Sequence, residues 1–244
     1  MLRTLMLLAG MGLVPPLAPG APVTFPARDG VTVYAKPYPA ASATAPWIVL
    51  FHQAGSNKNE YAPIAPRLAA LGYNALAVDQ RSGGDLYAPG NETVQHLGRS
   101  ESYEKAFADL EAAVDYVHRS HPGAKIYVLG SSYSAALVFE LAAKEPSLVA
   151  AVMAFSPGEY LVDKHAVHAA ARQVRVPVFI DTAADKDEIA AGRSILVAVA
   201  AKHKVQYAPR AGVHGASTLR ADKNPSGYDD NWRALIAFLG SLPK

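Results

Sequence analysis

The sequence contains no cysteine, which excludes a disulfide framework, a thiolate zinc cluster and a thiol nucleophile. Any nucleophilic chemistry must therefore use oxygen. Charge is sparse as well: 18% of residues are charged and the formal net charge is +2. Without a dense basic run there is no electrostatic footprint for nucleic acid. Beyond the N-terminus no apolar run reaches membrane-spanning length, so no stable membrane insertion is expected once the leader is removed. His118 with His121 and His165 with His168 have helical i, i+3 spacing, but no carboxylate or thiol cluster completes a metal site. They read as surface histidines, and neither a metal nor a cofactor is expected.

What the chain does have is apolar material, 50% of 244 residues, enough for one large core. Residues 1–20 read as an export signal. Arg3 gives a positive start, Leu5 to Val14 an apolar stretch, and Ala18-Pro19-Gly20 a small-residue cleavage pattern before Ala21. The expected arrangement is a signal peptide over 1–20 and a single domain over 21–244, periplasmic or secreted.

Along that domain, strand-like and helix-like segments alternate. Val31 to Tyr34 alternates like a half-exposed strand, and Trp47 to Phe51 is a continuous apolar run suited to a buried parallel strand. Tyr61, Ile64, Leu68 and Leu71 recur at helical spacing until Gly72. Further strands are predicted at Ala75 to Val78, Ile126 to Leu129, Val149 to Phe155, Val176 to Ile180 and Val205 to Tyr207. Helices are predicted around Phe107 to Val117, Ala135 to Lys144, Ile189 to Val199 and Trp232 to Leu239, with a long polar connection from Ser82 to Ser100. The pattern implies an α/β fold, a mostly parallel central sheet with helices on both faces and active residues beyond the strands' carboxyl ends.

Gly130-Ser131-Ser132-Tyr133-Ser134 lies directly between one such strand and its helix. A serine at that junction must turn the chain sharply, which demands small residues two positions on either side. Gly130 and Ser134 supply them around Ser132. Ser131 would instead have Leu129 at the crowded position, and Ser134 lies within the helix with no preceding glycine. Ser132 is therefore the candidate nucleophile, at a nucleophile elbow.

A serine hydroxyl needs a base, and the base an orienting acid. His214, in the small-residue loop Gly212-Val213-His214-Gly215 after the last strand, is the candidate base. The acid is expected in Asp181 to Glu188, after the strand that ends at Ile180. Asp185 fits best, while Asp187 and Glu188 stand as alternatives that could instead be first-turn residues of the next helix. For the oxyanion, the amides of Ala54 and Tyr133 are the expected donors, with Gln53 as an alternative. His52, at a strand end beside that hole, reads chiefly as a brace for the loop and secondarily as a substrate-binding residue.

These landmarks together resemble the α/β-hydrolase superfamily, and within it the small dienelactone-hydrolase-like or carboxylesterase-like serine hydrolases. The resemblance runs through the His52-Gln53-Ala54-Gly55 turn, Asp79 to Gly84, the Ser132 elbow, Pro177 to Ile180 and Val213-His214-Gly215, in the order Ser, Asp, His. The chain departs from the pattern at Ser134 and Gln53, where glycine is commoner, and at the acid loop, which lacks the usual glycine before its aspartate. Dienelactone hydrolases themselves use cysteine, which is missing here.

The implied function is ester hydrolysis through an acyl-enzyme on Ser132. Amidase, peptidase or thioesterase activity on the same triad is the alternative, as is a non-catalytic exported protein that binds a ligand through the cleft. Related families insert their lids between the strands ending at Phe155 and beginning at Val176, where this chain has room for a short excursion. An open cleft without a large lid is expected, lined partly by Tyr160, Leu161 and the 82–100 loop. The expected partner is a small-molecule or surface-held ester.

Overall fold

The computed structural model describes residues 19–242; the export-signal pattern falls almost wholly outside them. Eight strands form one open sheet: β1 (Val23–Pro26), β2 (Thr32–Tyr38), β3 (Trp47–Phe51), β4 (Asn74–Asp79), β5 (Ile126–Ser131), β6 (Val149–Phe155), β7 (Val178–Asp181) and β8 (Lys204–Tyr207). Their spatial order is β1-β2-β4-β3-β5-β6-β7-β8. The β1/β2 and β2/β4 pairs are antiparallel, and every pair from β4 onward across the sheet is parallel.

The helices are α1 (Ala65–Ala70), α2 (Glu92–Leu97), α3 (Tyr103–Ser120), α4 (Tyr133–Lys144), α5 (Ala166–Ala171), α6 (Lys186–Ala198) and α7 (Tyr228–Ser241). Short 3-10 turns occupy Lys58–Tyr61 and Gly215–Leu219. Alternate residues of each central strand enter different cores, as the pleat requires. Val49 and Phe51 of β3 and Val128 of β5 pack with α3 and α4 through Leu110, Val114, Leu137 and Leu141. Ile48, Leu50 and Leu129 face α1 and α7 through Leu68, Trp232 and Leu235. With helices on both faces, the central strands are buried throughout, which is why β3 reads as an unbroken apolar run.

Three elements differ from the sequence expectation. The Pro-rich lead carries β1, whose pairing with β2 extends the sheet by an antiparallel edge. The 82–100 connection contains α2, capped by the Asn91 side chain on the Val94 amide. The excursion between β6 and β7 holds the six-residue helix α5, too short for a large lid. Among the described residues no helix is long and apolar enough to cross a membrane.

The topology fixes where a site can form. From β3 the chain passes to β4 on one side, while β5 pairs with β3 on the other. The loops leaving β3 and β5 therefore diverge and open a crevice at the carboxyl edge of the sheet, where ligands of such folds bind. Phe51 and Gly130, the residues that lead into those loops, are register partners.

Candidate active site

Ser132 caps α4 directly after β5, with φ 59° and ψ −121°. This backbone is strained for an L-residue with a side chain, at a cost of about 1–3 kcal/mol. The sharp turn brings the helix back against the strand. A Cβ on Gly130 would lie 2.3 Å from the Ser134 carbonyl oxygen, so glycine is required there. Ser134 does more than stay small: its hydroxyl donates to the His52 carbonyl at 2.6 Å and accepts from Gln80 Nε2 at 2.8 Å. The residue that departs from the glycine pattern thus pins the end of β3 and the loop after β4 to the elbow.

The Ser132 hydroxyl lies 2.7 Å from His214 Nε2, and His214 Nδ1 lies 2.7 Å from Glu188 Oε1. An ionised carboxylate can only accept, so Nδ1 carries the ring proton and Nε2 is left free to accept from Ser132. Burial pushes the Glu188 carboxyl up, but hydrogen bonds from His214, Ser156 and the Ala183 amide outweigh it and bring the group down to about 2. Glu188 is therefore ionised at neutral pH.

Asp185, the sequence's first choice of acid, does not meet His214. It caps α6, its Oδ1 accepting from the amides of Asp187 and Glu188 at 2.9 and 3.1 Å. Asp187 is an exposed first-turn residue. The correction is one helical turn: the cap holds the helix start, and the residue three positions on projects toward the histidine.

On the oxyanion side, the Gln53 amide is already given to Glu60 Oε2 at 2.9 Å, which removes the alternative donor. The Ala54 amide makes no hydrogen bond among the described residues, and Ala54 is exposed. Tyr133 is the first residue of α4, so its N–H has no acceptor within the helix.

His52 does not line the cleft. It is fully buried, with Nδ1 donating to the Gln53 carbonyl at 2.8 Å and Nε2 accepting from the Gln80 amide at 3.0 Å. Burial holds its pKa down, and its role is to join the loops after β3 and β4. Those loops meet closely: a Cβ on Gly83 would lie 2.4 Å from the Ser56 carbonyl and 2.8 Å from the His52 ring.

Tyr160 stands edge-on to His214, ring centroids 6.4 Å apart, and burial pushes its hydroxyl up to about 12. Together with buried Leu161, exposed Val162 and Tyr103 it borders an open cleft of about 280 Å³. Tyr103 stacks on buried Tyr133 at 4.2 Å, so the cleft lies beside the site, with Ser132 and His214 outside its lining. From the 82–100 loop, Leu86 is 59% exposed and its amide donates to the Gly55 carbonyl.

Several polar residues at the site carry no motif in the sequence. Ser156 follows β6 with φ 55°; its hydroxyl accepts from the Gly215 amide at 2.9 Å and bonds Glu188. Ser131 and Glu60 lie beneath the elbow, hydrogen-bonded at 2.7 Å.

A second serine–histidine–carboxylate row occurs elsewhere. His168 Nδ1 lies 2.6 Å from Glu159 Oε1, and Nε2 lies 2.9 Å from Ser194 Oγ. Ser194 is exposed in the interior of α6, where no strand-to-helix turn presents it and the backbone amides are committed to the helix. Among the described residues no group of three or more metal-ligating side chains is assembled.

Residues 43–183 match the model of a hydrolase family described as serine aminopeptidase, S33. The match takes in the loop at residues 53–55 and the Ser132 elbow and ends before Glu188 and His214. A search of curated proteins finds no match. Among solved structures, the chain is similar to the esterase Pf2001 of Pyrococcus furiosus, at 17% identity and TM-score 0.67, covering 91% of this chain and 89% of that one. It is also similar to a dienelactone hydrolase from Anabaena variabilis, at 16% identity and TM-score 0.70, covering 91% and 97%. A highly thermostable carboxyl esterase from Bacillus coagulans gives 10% identity and TM-score 0.70, covering 93% and 99%.

Proposed function

The chain belongs to the S33 serine aminopeptidase family of α/β hydrolases, and from that premise we propose that it hydrolyses carboxylic esters through an acyl-enzyme on Ser132. One observation carries the reading: a serine at a strained elbow is hydrogen-bonded to a histidine whose other nitrogen meets an ionised carboxylate, both at 2.7 Å.

In this reading His214 takes the Ser132 proton as the hydroxyl oxygen attacks the ester carbonyl. The tetrahedral oxyanion is held by the amides of Ala54 and Tyr133, the latter at the positive end of α4. Glu188 fixes the imidazole's tautomer and stabilises its charged form. Collapse expels the alcohol, which leaves with the proton from His214. Water, activated by the same histidine, then attacks the acyl-enzyme and frees the acid.

The open cleft bordered by Tyr103, Tyr160, Leu161 and Val162 suits a small or surface-held ester, since no large lid encloses it. We further propose, from the N-terminal pattern alone, that the enzyme acts outside the cytoplasm; a mature N-terminus at Ala21 in exported protein checks this. The family's description as aminopeptidases favours amide cleavage as the second reading.

A panel of short and long acyl esters, lactones and amino-acid amides, run on the parent and on Ser132→Ala, tests the proposal. Ester turnover that Ser132→Ala lowers by several orders of magnitude supports it. Turnover of amides in preference to esters favours the second reading. Ester turnover untouched by Ser132→Ala, or no turnover of any substrate by the parent, contradicts both.

A further inference from the structure

Glu60 is a fully buried carboxylate that the reaction above does not use. Burying a charge is costly unless donors surround it, and here the donors come from the loops that carry the site. Oε2 accepts the Gln53 amide at 2.9 Å, one residue before Ala54. Oε1 accepts the Ser131 hydroxyl at 2.7 Å, one residue before Ser132. The Ser131 oxygen in turn accepts the Ala216 amide at 2.8 Å, two residues after His214. Burial pushes the Glu60 carboxyl above the usual range, and the Gln53 amide, the Ser131 and Ser56 hydroxyls and the positive charge of Arg220 offset this only in part.

Arg220 itself is fixed at this place. Its guanidinium donates to the Glu60 main-chain carbonyl at 2.8 Å and lies 4.4 Å from the Tyr87 ring centre. Three loops from different strands, carrying the oxyanion donor, the nucleophile and the base, thus converge on one carboxylate.

We propose that Glu60 is a positioning residue that holds these three loops in a common register and orients the Gln53 peptide so that the next amide, Ala54, is left for the oxyanion. The proposal rests on the reading of Ser132 as nucleophile. Catalytic groups lose about 100-fold when displaced by about 1 Å, so the effect belongs to the transition state more than to substrate binding.

Glutamine at position 60 has the same shape but one acceptor oxygen, and its amide must face either the Gln53 N–H or the Ser131 hydroxyl. Facing Gln53, it leaves that N–H without its acceptor; facing Ser131, it donates to the hydroxyl oxygen, and the hydroxyl proton loses its carboxylate acceptor. For Glu60→Gln, kcat on an activated ester should fall about 10- to 100-fold while KM changes less than about threefold. Affinity for a boronate that mimics the tetrahedral intermediate should fall in step with kcat. Leu235→Ala, a core change on the α7 face, lowers the melting temperature without altering kcat below it, which separates positioning from loss of fold. Ser131→Ala, which removes a hydroxyl and leaves Glu60 in place, serves if Glu60→Gln does not fold; its kcat should fall about three- to tenfold.

If Ser132→Ala abolishes turnover while Glu60→Gln, or Ser131→Ala in its stead, keeps the parent kcat and boronate affinity, the positioning role is overturned and the nucleophile assignment stands. If Ser132→Ala turns over like the parent, the nucleophile assignment falls and the role of Glu60 falls with it.

Discussion

Glu188 and Asp185 lie one helical turn apart at the start of α6, yet Glu188 meets His214 at 2.7 Å while Asp185 turns back onto the amides of Asp187 and Glu188. One carboxylate orients the imidazole and the other starts the helix that presents it. The two roles separate cleanly by mutation.

Glu188→Gln should lower kcat by about 10²- to 10⁴-fold, because a neutral partner no longer stabilises the imidazolium or enforces its tautomer. Asp185→Ala should leave kcat within a few-fold and lower stability by about 1 kcal/mol, the usual value of an N-cap. Steady-state kinetics and thermal melts on the pair check this.

The acid side of the pH profile follows from the same pair. Glu188 remains charged until the pH approaches its value of about 2, so kcat should not fall through loss of the Glu188 charge above about pH 4, which a kcat–pH profile of the parent against Glu188→Gln checks. The same carboxylate sets a stability effect. The Glu188 carboxyl is depressed in the fold, so its contribution is complete above the unfolded value of 4.5 and is lost as pH falls toward about 2. Urea melts across that window should show a shallower pH slope for Glu188→Gln than for the parent.

Gly130→Ala tests the elbow's geometry. The added methyl would sit 2.3 Å from the Ser134 carbonyl and 2.7 Å from the Ala135 nitrogen, both main-chain atoms that cannot swing aside. The expected result is a marked loss of kcat with a lowered melting temperature, checked by kinetics and calorimetry.

Asp181 ends β7 fully buried, and among the described residues its Oδ2 has no hydrogen-bond partner. Burial drives its carboxyl well above the usual range, and the Thr182 amide offsets this only in part. A raised folded value means that the fold loses stability as pH rises above the unfolded 3.8. Asp181→Asn removes the charge, so its melting temperature should gain on the parent's as the pH is raised from about 4 to 8.

Much of this is legible in the amino-acid sequence. The unbroken apolar run of β3 announces a strand covered on both faces, and the Gly130-to-Ser134 junction announces the turn that strains Ser132. Where the reading stopped, the cause was tertiary or one of helical phase. An acidic cluster after a strand contains both a cap and a functional carboxylate, and linear spacing does not say which residue faces the histidine. Glu60, Ser131 and Ser156 carry no local pattern, since each is defined by donors that arrive from other strands. Short α2 and α5 escaped because six residues give too little periodicity to stand out from a polar loop.

The most direct measurement is the intact mass of the protein after reaction with a fluorophosphonate. The second row, Ser194–His168–Glu159, supplies an internal control with similar distances but no elbow. A single adduct is expected in the parent and in Ser194→Ala, and none in Ser132→Ala or His214→Ala. An adduct that persists in Ser132→Ala, or a parent that takes up none, would contradict the assignment of Ser132 as nucleophile.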